Sequence, residues 1–429
     1  MTSVEDLTQS LGRELFTLVR KETGSIIRPF WWKEKAIMWF ARDDNLRTQM
    51  LRFVDVFPVL QTTAERNQHM REYLIQGLPR TPPLFRIADA LGRFPIGANI
   101  VASVAEQGVK TIGQHFIVGP TPEEVLIAIR KLQKEGASYT LDILGEAVLS
   151  EYEADEYMGK YISFMEQLSS PDYPRINLSV KLSALSSQSD PEAIKNRLRK
   201  ILRVAKKIAA PVTLDAEQSQ YRDMTINIFM GIFDEEEFKD FEGAGIAMHS
   251  YFLDSEQKIR EVIDWAKGRA TPILVRLVKG AYWDSEITTA VQKGWPIPVY
   301  REKWQTDMCF ERCTDLLLEN CDVIRLAVAS HNIRSIAQAM AKASILDVPR
   351  DRLEFQVLLG MGDRLKKAIL RMGNSVRVYI ASGELLPGMG YLVRRIIENT
   401  SQTGFLFQSL GTGVAVEELL KSPQGTMLS

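Results

Sequence analysis

Eight short runs of β-branched and apolar residues, each followed by a stretch long enough for one helix, constrain the fold of this chain more than any other feature. They are SYTLDIL (138–144), RINLSVKL (175–182), PVTLDA (211–216), GIAMHSYF (245–252), PILVRLVKG (272–280), DVIRLAVAS (322–330), LEFQVLLG (353–360) and SVRVYIA (375–381). Near-continuous apolar runs suit parallel strands covered on both faces. Eight such units within about 250 residues predict an α/β fold of the (β/α)8 TIM-type, a closed barrel rather than an open sheet. A doubly wound nucleotide-binding sheet would carry a G-x-G-x-x-G turn after its first strand, and none follows here.

Residues 1–95 lack convincing strands and show helical periodicity, first at Leu11, Leu15 and Val19 and then through WWKEKAIMWFARDDNLRTQMLRFVDVF. They predict an N-terminal helical arm interrupted at Leu78-Pro79-Arg80-Thr81-Pro82-Pro83. Trp31, Trp32, Trp39 and Phe40 are expected to pack against the neighbouring domain rather than to form a membrane-surface helix. The expected organisation is an arm at 1–95, a barrel at 96–410 and a tail or linker at 411–429.

Charge excludes some partners. Lys and Arg total 53 against 54 Asp and Glu, so no global basic field points to nucleic acid, and none is expected as a partner. Cys309, Cys313 and Cys321 are too few and too clustered for a disulfide framework, which fits a reducing compartment. No His lies near the Cys309/Cys313 pair, so no metal is expected. The N-terminal MTSVEDLTQSLGREL lacks the apolar run of a signal peptide, and no stretch of about eighteen apolar residues occurs. The expected location is cytoplasmic, at most peripheral to the inner face of a membrane.

In a barrel of this kind the active site gathers at the C-terminal ends of the strands. Polar residues are abundant there: Asp142 and Glu146, Lys181, Asp215 and Glu217, His249, Arg276 and Lys279, Ser330-His331-Asn332, Gln356 and Tyr379. Any one of them could be a satisfied core group. Charges are too costly to bury repeatedly unless they converge on partners or a polar ligand. After the last run, GYLVRRIIENT (390–400) places Tyr391, Arg394, Arg395 and Glu398 on one face of a helix. Taken alone this is an exposed amphipathic helix with an Arg394–Glu398 pair. Beside a polar barrel mouth, the adjacent guanidinium groups read as a clamp for a carboxylate.

The segments YTLDILGEA (139–147), VKLSAL (180–185), VTLDAE (212–217), LVRLVKGAYWDSEI (274–287), ASHN (329–332), EFQVLLGMG (354–362) and YLVRRIIENTSQTGF (391–405) resemble, in the same order, the successive strand motifs of the proline dehydrogenase domain of the proline utilization A (PutA) family. The resemblance spans residues 85–410. It implies oxidation of L-proline to pyrroline-5-carboxylate with reduction of noncovalent FAD. The implied electron acceptor is a quinone, and the implied receiver of the product is an aldehyde dehydrogenase domain or protein. Asp215, Arg276 and Lys181 are implied to carry the chemistry, with Arg276 beside the hydride-accepting ring nitrogen. His249 stands where the family usually has Gln. Lys279, Gly280, Ala281, Trp283, Ser330, His331, Gln356, Glu398 and the Ala216 backbone would contact other parts of the cofactor. Arg394, Arg395 and Lys181 would hold the proline carboxylate, Tyr282, Tyr379, Tyr391 and Leu358 would shape the pocket, and Asp215 would pair with nearby cations. Opposite charge and the family pattern make Glu146 a candidate gate, pairing with Arg394 or Arg395 over bound substrate.

Three departures from the family touch the flavin side: His249, Leu359 where an aromatic or His is common, and Tyr379-Ile380-Ala381-Ser382-Gly383 without the usual Pro and Gly, where a less rigid backbone is expected. They leave oxidation of a proline analogue open. A Schiff-base lyase using Lys181 or Lys279 is the alternative from another class, and a catalytically silent scaffold barrel is a third. No ribbon-helix-helix segment precedes the arm and no aldehyde dehydrogenase domain follows residue 429, so an excised domain or a partner-dependent single-function enzyme is expected.

Overall fold

The computed structural model describes residues 3–21, 62–76, 113–145, 148–170, 175–384 and 415–423, with isolated positions between them. Trp31, Trp32, Trp39, Phe40, the Pro-rich stretch 78–83, Glu146, Arg394 and Glu398 lie outside the described residues.

All eight predicted runs form strands: β2 (Ser138–Ile143), β3 (Leu178–Val180), β4 (Val212–Leu214), β5 (Ala244–His249), β6 (Ile273–Val278), β7 (Ile324–Ala329), β8 (Leu353–Leu358) and β9 (Val376–Ser382). Each pairs in parallel with the next, and β9 closes on β2 with Tyr139 opposite Val378 and Leu141 opposite Ile380. The barrel is closed, as the spacing of the runs predicts. A two-residue strand, β1 (Ile117–Val118), pairs with Ala381 and Ser382 beyond the end of β8. The Tyr379–Gly383 stretch therefore has neighbours on both sides, reinforced by Ser382 Oγ donating to Gly119 O at 2.8 Å and Gly383 N donating to Val118 O at 3.0 Å.

Strand side chains alternate, and here the two faces differ in kind. Leu141, Leu178, Val180, Leu214, Val275 and Val328 are fully buried outside the barrel against the helices. Each such burial contributes roughly 1.5–3 kcal/mol. The alternate positions face the barrel axis, and several are polar: Thr140, Ser179, Thr213, Arg276, Gln356 and Tyr379. Arg276 bonds Gln356 and Ser179, and Tyr379 bonds Asp215, across non-neighbouring strands, which only axis-facing side chains can do.

The helices between strands start at local signals. Thr121 and Glu124 form a capping box ahead of α3 (Pro122–Lys134). Asp190 caps α5 (Pro191–Lys207), which carries proline in its first turn. Asn332 accepts from Arg334 N at 2.9 Å to cap α10 (Ile333–Ile345). Among the described residues the remaining α-helices are α1 (Val4–Lys21), α2 (Thr63–Arg71), α4 (Glu151–Gln167), α6 (Ser219–Phe233), α7 (Ser255–Ala266), α8 (Trp283–Lys293), α9 (Lys303–Leu318), α11 (Asp363–Arg371) and α12 (Val416–Leu419). Within α9 the Cys309 and Cys313 sulfurs lie 3.7 Å apart on one face.

Helix α1 buries Leu15, Phe16 and Val19, following the predicted periodicity, and docks on α10. The C-terminal segment docks at the same place: Leu420 is fully buried, and a Cβ on Gly12 would meet its side chain at 2.6 Å. Arg334 joins the three pieces. Its Nη1 donates to Glu5 Oε1 at 2.6 Å and to Leu420 O at 3.1 Å, while Nε and Nη2 hold Glu311 at 2.8 and 3.0 Å. Replacing Arg334 with Ala leaves the Glu311 carboxylate uncompensated and is expected to cost about 3–5 kcal/mol. Glu5→Gln, at a half-exposed partner, is expected to cost about 1 kcal/mol or less. Urea unfolding checks both, and equal losses would show that the cluster does not work as described.

Candidate active site

Most of the axis-facing polar residues form one continuous hydrogen-bonded chain toward the C-terminal mouth. Arg276, 3% exposed, donates from Nη1 to Asp215 Oδ1 at 2.5 Å, from Nε to Gln356 Oε1 at 2.7 Å and from Nη2 to Ser179 Oγ at 3.0 Å. Asp215 Oδ2 accepts from the Tyr379 hydroxyl at 2.6 Å, and the Arg276 guanidinium lies over the Tyr379 ring, 5.2 Å from its centroid. Lys181 Nζ sits 3.6 Å from Asp215 Oδ2, 3.5 Å from the Tyr379 hydroxyl, and bonds Asp142. Toward the other end Gln356 Nε2 donates to Glu354 Oε1 at 2.6 Å, which a bidentate Arg377 holds at 2.8 and 2.9 Å.

Two carboxylates and two cations thus face one another in a water-poor space. Burial alone would favour a neutral Lys181, but Asp142 and Asp215 outweigh it and raise its pKa. The Tyr379 phenol is also raised well above its ordinary value, by burial first and then by the same two carboxylates. Both side chains remain protonated at neutral pH. Burial raises Glu354 as well, yet Arg377 prevails and the net shift is downward, so it stays ionised.

Around this centre the strand-end loops are individually anchored. Lys279 Nζ bonds Asp307 at 2.5 Å, and Lys303 takes the other oxygen at 2.6 Å. Burial opposes the Asp307 charge, but the two lysines outweigh it and bring its pKa to about 2. Burial lowers the pKa of Lys279. Gly280 has φ +140, and a Cβ there would lie 2.4 Å from the Tyr251 ring, so no other residue fits. Ala281 is exposed, Tyr282 is partly buried, and the Trp283 indole N–H donates to Tyr300 O at 2.7 Å. His331 Nε2 accepts from Leu358 N at 3.2 Å, joining the loops after β7 and β8, and Ser330 Oγ accepts from Asn332 N at 3.1 Å.

His249 is 7% exposed between Tyr251 and Phe252 and shares a small cavity with Ala216, Glu217 and Arg222. Burial, aided by the Arg222 charge, lowers its pKa to about 3, so the imidazole is neutral. Burial raises Glu217, which accepts from Ser183 N at 3.1 Å. Tyr391 and Arg395 are both buried, the guanidinium 5.0 Å from the ring centroid. They share the helix face predicted for them.

The structure therefore brings Lys181, Asp215, Arg276, Gln356 and Tyr379 into one network, while Lys279, Trp283, Ser330, His331 and His249 take partners around its rim. Asp142, read from the sequence as a strand-end polar group, joins the network through Lys181. Ser179 and Glu354 are additional members and Asp307 an additional rim partner; Ser179 carries a readable signal, because it precedes Lys181 by two positions and so shares its face. Asp307 sits on α9 with no comparable mark.

Comparisons with known proteins point to one family. A profile of the proline dehydrogenase family matches residues 125–408, and one of the proline utilization A N-terminal domain matches residues 5–116. The bifunctional protein PutA of Escherichia coli (strain K12) is 30% identical over 346 residues, covering 76% of this chain and 26% of that protein. Proline dehydrogenase 1 of Bacillus subtilis (strain 168) is 26% identical over 303 residues, covering 71% of this chain and 92% of that protein. The crystal structure of proline utilization A from Bdellovibrio bacteriovorus inactivated by N-propargylglycine matches with a TM-score of 0.88 and 35% identity, over 99% of this chain and 44% of that one. The chain thus spans about a quarter of the Escherichia coli protein and less than half of the Bdellovibrio chain. Because the first profile runs through all eight barrel strands, the chain belongs to the proline dehydrogenase family.

Proposed function

We propose that this chain oxidises L-proline to pyrroline-5-carboxylate with noncovalent FAD as the hydride acceptor. The observation that carries the reading is the Arg276–Asp215–Lys181–Tyr379 network, its Arg276 and Asp215 buried, at the barrel mouth of a proline dehydrogenase family member. Features of the chain fit a flavin: a fixed guanidinium on the axis, a glycine at 280 whose missing Cβ lets the loop lie against the Tyr251 ring, and a neutral His249 beside Ala216. Lys279, Gly280, Ala281, Trp283, Ser330, His331, Gln356, Glu398 and the Ala216 backbone would hold the cofactor. When bound, FAD supplies the two-electron acceptor.

The protein's share of the work is orientation and charge. A small amino acid offers little apolar area, so charge-assisted bonds to its carboxylate supply most of its orientation. Lys181, held as an ammonium by Asp142 and Asp215, supplies one such bond, and Arg394 and Arg395 supply the others. Asp215 fixes Arg276 and Tyr379 together, and Tyr282, Tyr379, Tyr391 and Leu358 shape the apolar part of the pocket. Glu146 serves as the gate partner of Arg394 or Arg395. A quinone as final electron acceptor and an aldehyde dehydrogenase domain or protein as receiver of the product rest on the resemblance alone. A Schiff-base lyase through Lys181 is disfavoured, because that chemistry needs a neutral amine and the charge on Lys181 is stabilised twice over; burial does lower the pKa of Lys279, but its Nζ is engaged by Asp307 at 2.5 Å. Among the described residues no helix is long and apolar enough to cross a membrane.

Anaerobic addition of L-proline to the purified, flavin-loaded chain is expected to bleach the flavin absorbance; a protein that takes up flavin and is untouched by proline sinks the reading. Lys181→Met should raise KM for proline by about 10-fold or more, as expected for a lost charge-assisted bond of about 1.5–3 kcal/mol, with flavin binding unchanged. Lys181 and Tyr379 keep their protons through mildly alkaline pH, so the pH profile should report the substrate amine, which must be neutral to release hydride. kcat/KM is therefore expected to rise with pH, and a flat neutral-to-alkaline profile would count against the mechanism.

His249 sets a separate dependence on pH. Its folded pKa of about 3 lies below the ordinary 6.5, so the unfolded chain binds the proton first. Stability is whole above about pH 6.5 and falls as the pH drops from there toward 3. Urea midpoints at neutral and mildly acidic pH should converge in His249→Gln relative to the wild type.

A further inference from the structure

Helix α8 carries the loop that enters it from β6, yet only Glu286 and Ala290 of its residues are buried. Such a helix has little apolar grip of its own. Glu286, 5% exposed, instead reaches across to the start of α6: its Oε1 accepts from Ser219 N at 2.7 Å and its Oε2 from Ser219 Oγ at 2.5 Å. A carboxylate at a helix N-terminus satisfies a backbone donor that the helix leaves unpaired and meets the positive end of its dipole. Both carboxylate oxygens are used, so the contact fixes orientation as well as distance.

The two helices joined here begin where two strand-end loops finish. The loop after β4 runs Asp215-Ala216-Glu217-Gln218 into α6; the loop after β6 runs Lys279-Gly280-Ala281-Tyr282 into α8. Tyr251, 2% exposed, forms the floor beneath Gly280, and its backbone carbonyl accepts from Tyr300 N at 2.9 Å. Asp307 and the Tyr300 carbonyl hold the β6 loop at Lys279 and Trp283. Those contacts fix the loop to its own side of the barrel, whereas the Glu286–Ser219 contact, 67 residues apart in sequence, spans to the β4 loop.

We propose that Glu286 is a positioning residue for the cofactor, setting the width between the Ala216 and Lys279–Trp283 loops so that both touch the same flavin. This rests on the flavin-dependent reading above. The test is flavin affinity, measured by fluorescence titration of the apoprotein with FAD, together with steady-state kinetics at saturating FAD. Glu286→Ala should weaken FAD binding about 10-fold or more while leaving kcat at saturating FAD within about threefold, tenfold being about 1.4 kcal/mol. Glu286→Gln, which can still accept from Ser219 N and donate to its hydroxyl, should restore most of the affinity. Ser219→Ala, which keeps the backbone bond, should lose about threefold.

A folded Glu286→Ala that binds FAD as the wild type does overturns the proposal, as does one whose kcat collapses with affinity intact. If Glu286→Ala does not fold, Ser219→Ala decides, and unchanged affinity there overturns it equally. A wild-type chain that takes up no FAD sinks the functional reading itself, whereas equal affinity in wild type and variants sinks the loop clamp alone.

Discussion

The ion pair between Arg276 and Asp215 is the contact on which the site depends. Both groups are nearly removed from water on the barrel axis, where an isolated charge would be costly to bury. Each is tolerated because its remaining bonding capacity is also used: Arg276 by Gln356 and Ser179, Asp215 by Tyr379 and Lys181. Removing either member would strand the other and loosen the side chains that share it. Stability and active-site geometry are therefore set by the same few bonds.

That arrangement explains a peculiarity of the barrel. Many closed barrels fill their interior with branched apolar side chains in layers. Here the axis carries a polar column from Glu354 and Arg377 up to Lys181 and Asp142, and the apolar packing lies between strands and helices. The column fixes which way each strand-end group points. The rim contacts, Asp307 to Lys279, Tyr300 to Trp283 and His331 to Leu358, then hold the loops around it.

The fold was largely legible because the outward faces of the strands are apolar without exception along runs such as Leu178–Val180 and Leu326–Val328, and period and spacing alone imply closure. The axis-facing members of the site were legible as polar interruptions of those runs: Lys181, Asp215, Arg276, Gln356 and Tyr379. Their partners were harder to read. Asp307 and Glu286 lie on helices, where an acidic residue ordinarily signals only a solvated face, and their roles depend on contacts with Lys279 and Ser219 from other elements. Leu420 sits in a stretch whose composition reads as a tail, yet it is buried because Gly12 leaves room for it. Such pairings arise from three-dimensional closure, which no local pattern encodes.

The polar column also bears on how the chain can fold. Its members come from both sides of the barrel: the charges of Asp142, Lys181 and Asp215 belong to β2, β3 and β4 or the residues that follow them, while the Arg276 charge belongs to β6 and the neutral Tyr379 hydroxyl to β9. A fragment ending after β5 would carry two of these carboxylates with one ammonium and no guanidinium, an excess of negative charge that burial would make costly. The charge balance of the axis is therefore complete only when β6 has joined β3 and β4 in the ring.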